Sequence, residues 1–277
     1  MAKQKATDID AGSEIELDGP DRSGQRSIQS VEVGFRLIKA LDEASDALSL
    51  KRLAAAAGMT ASKAHLYLVS FRRVGLVVQE SDSGRYALGP YALQLGLSAL
   101  RKLEVVRLAR DTLGELSEAT GESCYIAVWG NRGPCITSVS TAPGSLPLLL
   151  QVGYVLPTTS TATGRIFLSY LPRTHTEQVV SAERALSWSG ANGEAAIRRI
   201  IEEVRAHGIS HTDGQLSIGL AAFSVPVFAH DGAVTAAITV IGSSATMDAT
   251  IEGPIARRLQ RAARNLSAQL GWSGGVE

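Results

Sequence analysis

Cysteine and long apolar runs are both scarce in this chain of 277 residues. Cys124 and Cys135 do not form a CxxC motif and no signal peptide precedes them, so the sequence predicts a reduced, cytoplasmic protein. We expect both to be small buried side chains, not redox sensors. The apolar stretch at residues 146–154 is interrupted by Pro147 and Gly153. Because a bilayer span needs roughly 20 apolar residues, a membrane protein is not expected.

An excess of charge of either sign is also lacking, because 27 lysines and arginines balance 27 aspartates and glutamates. The whole chain therefore gives no electrostatic argument for binding nucleic acid. Residues 26–90 differ, since they carry nine basic side chains against six acidic ones. This local excess permits contact with phosphates but would not by itself identify a DNA-binding domain.

Catalytic motifs are absent as well, including GxSxG, HExxH, GxGxxG and the P-loop. Their absence weakens an enzyme interpretation without excluding one, because distant Ser, His and Asp residues can converge in a fold. His207, His211 and Asp213 have a spacing similar to that of a metal site, but Gly208 interrupts the helix that would align the histidines. We expect solvent-facing loop histidines, no metal and no cofactor.

The composition that is present, 45% apolar and 19% charged, is that of an ordinary globular protein. The length exceeds the roughly 100 to 200 residues of one domain, which favours two folded units. Residues 1–26 lack apolar periodicity and predict a disordered arm. The remainder divides into a domain at 27–89, a linker helix at 90–120 and a second domain at 121–272.

The pattern of residues 27–89 is that of a winged helix-turn-helix. Helical spacing of apolar residues predicts helices at 27–41, 48–57 and 61–74. Two short β-like pieces then flank a turn composition at residues 81–84, which predicts a hairpin. In this motif the second helix of the helix-turn-helix enters the major groove of DNA.

That second helix supplies most of the predicted DNA contacts. Its N-terminal residues reach base edges and phosphates, and basic side chains further along bind the DNA backbone. The alternative is a short helical hairpin in a core, but such a hairpin would not need an adjoining wing with a basic residue at its base. The candidate DNA-binding residues are Ser49, Thr60, Ser62, Lys63, His65, Tyr67, Arg72 and Arg85.

The linker at residues 90–120 has apolar positions at helical spacing, with Gly96 and Gly114 as the expected points of a break. Its apolar stripe would pack on its own chain or on a second copy. In the second domain, strands interleaved with helices predict an α+β fold on a mostly antiparallel sheet. The predicted strands are 124–129, 135–140, 146–152, 220–228 and 233–241, and the predicted helices are 161–171, 194–207 and 251–270.

Several short stretches together resemble the IclR family of bacterial transcriptional regulators, over residues 27–270. They are LSLKRLAAAAG at 48–58, SKAH at 62–65, GLV at 75–77, GRYALG at 84–89, LP at 156–157, GR at 164–165 and the segment 219–228. The resemblance implies a GAF-like effector domain, a homodimer or dimer of dimers, and a palindromic operator in double-stranded DNA.

The resemblance also implies an effector site. Gln215 and Ala222 stand where the family usually has an acid and often a cysteine, and Leu66 stands where it commonly has an arginine. The residues at effector-contact positions are Ala162, Thr163, Thr212, Gln215, Ala222, Thr239 and Ile241.

The residues themselves give a separate argument for a ligand. Thr161 precedes a predicted helix whose free backbone N–H groups suit a carboxylate, and Arg165 adds positive charge one turn later. A well-capped helix without a ligand is the alternative interpretation. The effector expected on this basis is a small organic acid.

Two functions of different classes follow. In the first, a ligand in the second domain changes how the linker helices hold two winged helices, and DNA affinity changes with that geometry. In the second, the chain is an enzyme or ligand-binding module of GAF-like fold with a vestigial DNA-binding domain. A sensor returns its ligand unchanged, whereas an enzyme converts it.

Overall fold

The computed structural model describes residues 28–102, 104–145, 150–186 and 193–274. The predicted arm at residues 1–26 therefore lies outside the described residues. The chain divides into two compact units, with the boundary between Gln94 and Leu95. Within the described ranges, no helix is both long and apolar enough to cross a membrane.

The first unit consists of three helices followed by a two-stranded antiparallel hairpin. The elements are α1 (Gln29–Asp42), α2 (Leu50–Ala56), α3 (Ala61–Arg73), β1 (Val77–Gln79) and β2 (Tyr86–Leu88). Leu37, Leu53 and Leu68, one from each helix, form its core together with Tyr86 of the hairpin. This arrangement is the winged helix-turn-helix that the sequence predicts.

The turn between α2 and α3 is set by hydroxyl caps and a glycine. Ser49 Oγ accepts a hydrogen bond from Arg52 N at 3.4 Å and begins α2, and Thr60 Oγ1 accepts one from Lys63 N at 3.3 Å and begins α3. Gly58 has a φ of 64°, a left-handed conformation that favours glycine. The chain therefore leaves α2 and re-enters a helix within a few residues.

The linker region forms α4 (Pro90–Lys102) and α5 (Glu104–Thr120). Gly96 and Gly114 lie inside these helices, so the expectation of a break at either glycine is wrong. A single glycine costs a helix only about 1 kcal/mol, which the flanking residues offset. The inner face of α5 buries Leu113 and Leu116.

The second unit contains a five-stranded sheet in the order β4-β3-β7-β6-β5, with every neighbouring pair antiparallel. Four helices besides α5 accompany it among the described residues. The elements are β3 (Ser123–Gly130), β4 (Gly133–Ser140), α6 (Ala162–Tyr170), α7 (Arg173–Leu186), α8 (Glu194–His207), β5 (Ser210–Asp213), β6 (Leu220–Phe228), β7 (Val234–Ser243) and α9 (Pro254–Gln269).

Helices cover both faces of this sheet. α5 and α9 pack on one face, where Phe223 and Val225 of β6 meet Leu259 of α9. α6 and α8 pack on the other face, where Ala222 of β6 lies in a cluster with Phe167 of α6. Alternate residues of one strand thus enter opposite cores. The predicted fold class, α+β with an antiparallel sheet, is confirmed.

Two elements of the second unit escape the sequence pattern. α7 buries few side chains, chiefly Thr176 and Val180, so its sequence shows no continuous apolar stripe. β5 is a four-residue edge strand of mostly polar residues, too short for an alternation signal. Of the strand predicted at residues 146–152, residues 150–152 are not in a strand and the rest lies outside the described residues.

Candidate DNA-binding surface and effector cavity

The N-terminal half of α3 presents an exposed polar face. Ser62, Lys63 and His65 are exposed, and Leu66 beside them is 70% exposed. The helices α2 and α3 together carry five lysines and arginines and no acidic residue. The surface is therefore positive, as contact with phosphates requires, and Leu66 adds an apolar group suited to a thymine methyl.

Three of the other predicted DNA contacts also have structural roles. Ser49 and Thr60 are the exposed caps of α2 and α3, and their hydroxyl protons remain free for a phosphate. Arg72 Nη1 donates to Gln79 Oε1 at 2.9 Å, and Gln79 Nε2 donates to Gly84 O at 2.9 Å. Through these bonds Arg72 ties the end of α3 to the wing.

Tyr67 and Arg85 are placed differently from one another. The Tyr67 ring is half-buried against α1, since a Cβ added at Gly34 would lie 2.9 Å from Tyr67 Cδ1. Its ring therefore belongs to the domain core more than to the exposed face of α3. Arg85 is exposed at the base of the hairpin.

A small cavity in the second unit collects part of the predicted effector site. Its volume is about 10 Å³, the size at which one water molecule just fits. Five predicted residues line it, and sequence reasoning missed four others, because only the sheet register brings them there. The predicted ones are Thr161, Ala162, Thr212, Ala222 and Ile241, and the missed ones are Tyr125, Leu216, Leu220 and Ala221.

Thr163 and Thr239, two predicted effector contacts, do not line this cavity but join the lining residue Tyr125 in a buried chain of hydroxyls. Tyr125 OH is 2.8 Å from Thr163 Oγ1, which is 2.8 Å from Thr239 Oγ1. Thr239 Oγ1 donates to Ser224 Oγ at 2.9 Å, and Ser224 Oγ donates to Ile238 O at 3.4 Å. Each hydroxyl has one proton to donate, so Thr239, which donates to Ser224, must accept from Thr163. Thr163 in turn must accept from Tyr125, which is therefore the first donor of the chain. Burial raises the pKa of Tyr125, which keeps this donor protonated.

Arg165 does not line the cavity but connects two of its walls. Its Nε donates to Thr159 O at 3.0 Å and its Nη1 donates to His211 O at 3.1 Å. One segment leads to Thr161 and the other to Thr212, which both face the cavity. Burial lowers the pKa of the Arg165 guanidinium, although the nearby Glu203 carboxylate opposes that shift. Arg165 is placed to position the cavity walls.

The loop at residues 214–219 borders the cavity through Leu216. Leu216 lines the cavity, whereas Ile218 is 96% exposed. Gln215 does not line the cavity, and its Oε1 accepts a hydrogen bond from Asp213 N. Gly214 and Gly219 bound the loop with φ values of 76° and 83°. Leu216 borders the cavity but is itself 41% exposed, so this side of the cavity is open to solvent.

The histidines do not match the expectation of solvent-facing loop residues. His211 lies in β5 and its half-buried ring packs on Phe223, with ring centroids 4.7 Å apart. Burial lowers the pKa of His211, which favours the neutral ring. His207 is exposed but belongs to the last turn of α8, where Nδ1 lies 2.9 Å from Glu203 O. The described residues contain no group of three potential metal ligands.

The two cysteines differ in exposure. Cys124 is completely buried, and burial raises the pKa of its thiol to about 12. A thiol so rarely ionised is a poor nucleophile, which agrees with a packing role. Cys135 is half-buried on β4.

Family models match both units of the chain. The IclR helix-turn-helix domain matches residues 30–81, and the C-terminal domain of bacterial transcriptional regulators of the IclR type matches residues 97–268. The second match alone covers more than half of the chain.

Individual relatives agree with these matches. The glycerol operon regulatory protein of Streptomyces griseus is 29% identical over 217 residues, which are 78% of this chain and 85% of that protein. The crystal structure of Pseudomonas aeruginosa HmgR is 38% identical with a TM-score of 0.58, covering 90% of this chain and 100% of that one.

A further structure shares the fold. It is an IclR homologue from Microbacterium hydrocarbonoxydans complexed with 4-hydroxybenzoate, 19% identical with a TM-score of 0.70, covering 87% of this chain and 98% of that one. With its winged helix-turn-helix, its antiparallel effector domain and its matches to both family models, this chain belongs to the IclR family of bacterial transcriptional regulators.

Proposed function

We propose that the chain is a homodimer, or a dimer of dimers, that binds a palindromic operator through two copies of α3 and changes its DNA affinity when an organic acid enters the effector cavity. The observation that carries the DNA part is the exposed face of Ser62, Lys63 and His65, on helices without acidic residues. Two such faces related by two-fold symmetry read two half-sites. A regulator of this kind acts where the chromosome lies, in the cytoplasm.

The chemistry of the cavity supports an acid that also carries a hydroxyl. The first amides of α6, at Ala162 and Thr163, have no partner inside the helix and suit a carboxylate. Tyr125 OH donates into the buried chain, so its oxygen remains an acceptor for a ligand hydroxyl. Ile241 and Leu216 supply apolar contact. The relative that holds 4-hydroxybenzoate binds a molecule of this class.

Binding requires the cavity to expand. A space of about 10 Å³ is far below the roughly 300 Å³ of small ligand sites. Two lining residues lie outside helices and strands, namely Thr161, the N-cap of α6, and Leu216, in the loop at residues 214–219. Leu216 is 41% exposed and its loop lies at the surface. Outward movement of this loop would admit the ligand and shift the protein between a closed and an open state.

Ala222→Leu tests the effector site. The larger side chain would occupy the cavity, so we expect at least a tenfold loss of affinity for the best ligand in a series of aromatic and short-chain carboxylates that includes 4-hydroxybenzoate. Calorimetric titration measures the loss. Ala182→Leu, the same change at an exposed site on α7, is the control and should leave affinity unchanged. Equal affinities in Ala222→Leu and the unmodified chain would place the site elsewhere.

The homodimer is supported by apolar side chains left exposed on α4 and α1. Leu93 is 65% exposed and Leu97 45%, one turn apart on α4, and Phe35 is 46% exposed on α1. Such side chains are favourable once a second copy covers them. Light scattering should report at least a dimer at micromolar concentration, and Leu93→Gln with Leu97→Gln should shift it toward the monomer. A wild-type monomer that still binds a palindrome tightly would contradict the proposal.

The alternative, an enzyme of the same fold, is distinguished by the fate of the ligand. The names of the relatives describe regulators, and the sequence contains no GxSxG, HExxH, GxGxxG or P-loop motif. Incubation of the protein with its best ligand, followed by mass spectrometry, should return the ligand unchanged. Conversion of the ligand by the wild type but not by Ala222→Leu would instead support the enzyme.

A further inference from the structure

A second and larger cleft lies in the effector domain, away from the effector cavity. Its volume is about 610 Å³, within the range of roughly 300 to 1,000 Å³ typical of small-molecule sites. Residues from the ends of α6 and α8, from β6, from α9 and from the segment after α9 line it. None of these described residues also lines the effector cavity. The cleft is therefore a separate candidate site.

One side of the cleft is aromatic. The ring of Phe228 contacts Tyr170 edge to face, with centroids 5.4 Å apart and planes at 78°. Trp272 lies against the same Phe228 ring at 5.0 Å and 33°. Three rings supported by one another form a preorganised apolar wall, which suits a flat hydrophobic ligand.

The polar part of the cleft is positively charged. Arg205, Arg264 and His207 line it, and no acidic side chain does among the described residues. Arg205 Nε donates to Ser169 O at 2.8 Å, which fixes the guanidinium and leaves its other donors for a ligand. The C-terminal ends of α6 and α8 add about half a negative charge each. Two guanidinium groups exceed that, so the cleft favours an anion.

A peptide that adds a strand to the sheet fits this cleft poorly. β5 pairs with β6 only as far as Ser224, so the edge of β6 beyond that residue borders the cleft. Leu220 O accepts a hydrogen bond from Gly214 N, so the backbone N–H and C=O of Leu220 face the β5 side. The backbone groups of every second residue after it, including Pro226 and Phe228, face the same edge. Pro226 has no N–H, and Phe228 N already donates to Ser267 Oγ at 3.0 Å. The edge therefore offers no free amide donors for strand pairing.

We propose that this cleft is a second ligand site, which binds an aromatic compound carrying a single carboxylate or similar anionic group. The ring lies on the wall formed by Tyr170, Phe228 and Trp272, and the anion contacts Arg205 and Arg264. The proposal does not depend on the effector cavity, because the two sites share no described residue.

The probe is 2-naphthoate, titrated calorimetrically into the full chain and into Ala222→Leu, in which the effector cavity is filled. Quenching of tryptophan fluorescence gives a second signal, which Trp272→Phe should diminish. Arg264→Gln should weaken binding roughly tenfold in both backgrounds, because a charge-assisted contact is lost. Arg264→Glu should weaken it further. Arg261→Gln, an exposed change on the same helix facing a different groove, is the control and should bind as the wild type does.

The neutral analogue 2-naphthamide should bind at least tenfold more weakly than 2-naphthoate. Several results would overturn the proposal: no saturable binding, equal affinity for the two probes, unchanged affinity in Arg264→Gln, or complete loss of binding in Ala222→Leu. The last result would show that naphthoate binds only in the effector cavity. Matching thermal unfolding midpoints for Arg264→Gln and Arg261→Gln would show that a loss of binding reflects the site and not the fold.

Discussion

Gly164→Ala is expected to destabilise the effector domain by about 3 kcal/mol or more. A Cβ on Gly164 would lie 2.5 Å from Thr158 Cα and 2.6 Å from Pro157 O, and would also collide with Thr158 O. These are backbone atoms of the segment that leads into α6, so no side-chain rotation relieves the clash. For a domain of this size, about 3 kcal/mol lowers the midpoint of thermal unfolding by roughly 6 to 12 °C.

The control for this change is Gly114→Ala. Gly114 also lies in a helix, but a Cβ there would meet no atom within 4 Å. Alanine has a higher helix propensity than glycine, so this variant should be more stable than the wild type by about 0.5 to 1 kcal/mol. Opposite shifts in the two variants, measured by thermal unfolding, are the expected result. An unfolding midpoint for Gly164→Ala equal to that of the wild type would show that the segment before α6 is less rigid than described.

Lys63→Glu is expected to reduce operator affinity by at least a hundredfold at low salt. The change removes a positive charge from the exposed start of α3 and places a negative one beside the phosphates. Lys63→Ala should weaken binding less and should reduce the slope of log affinity against log salt by about one, if Lys63 contacts one phosphate. Fluorescence anisotropy with labelled DNA over a series of salt concentrations measures both.

Lys39→Glu is the matched control for Lys63→Glu. Lys39 is also exposed and its substitution changes the charge by the same amount, but it lies on α1 and not on α3. Its effect should be confined to the long-range field of the domain, so most of the affinity should remain. If the two variants lose equal affinity, net charge and not the face of α3 would explain DNA binding.

The N-terminal unit could be predicted because its signals are local. Ser49 and Thr60 cap their helices within three residues of the amides that they bind, and Gly58 and Gly75 adopt positive φ where a helix ends. Each of these features depends only on residues close by in the sequence. The long elements α8 and β6 were predictable for the same reason, since α8 has continuous helical periodicity and β6 is an almost uninterrupted apolar run.

The roles of individual site residues were harder to predict because they depend on tertiary contacts. Thr163 belongs to the predicted site by position, yet its hydroxyl is used by Tyr125 and Thr239, which lie far away in sequence. Arg165 carries the charge that suggested an anion contact, but it binds the backbone carbonyls of Thr159 and His211. No local sequence pattern indicates which hydrogen-bond partner such a side chain will have.

The same limit explains Tyr67 and the second cleft. Tyr67 follows the DNA-facing residues in sequence, but the turn of the helix directs its ring toward Gly34 of α1. The cleft draws Tyr170, Arg205, Phe228 and Arg264 from four separate elements. The set of residues that line the cleft can therefore be identified only from the folded structure.

The most direct test of the regulator is selection of bound DNA from a random double-stranded library, followed by titration of the selected site with and without an organic acid. We predict enrichment of one palindrome, tight binding by the wild type, a large loss in Lys63→Glu, and a change in affinity on addition of the ligand that Ala222→Leu abolishes. Absence of any enriched sequence, or wild-type affinity of Lys63→Glu for the selected palindrome, would contradict the account.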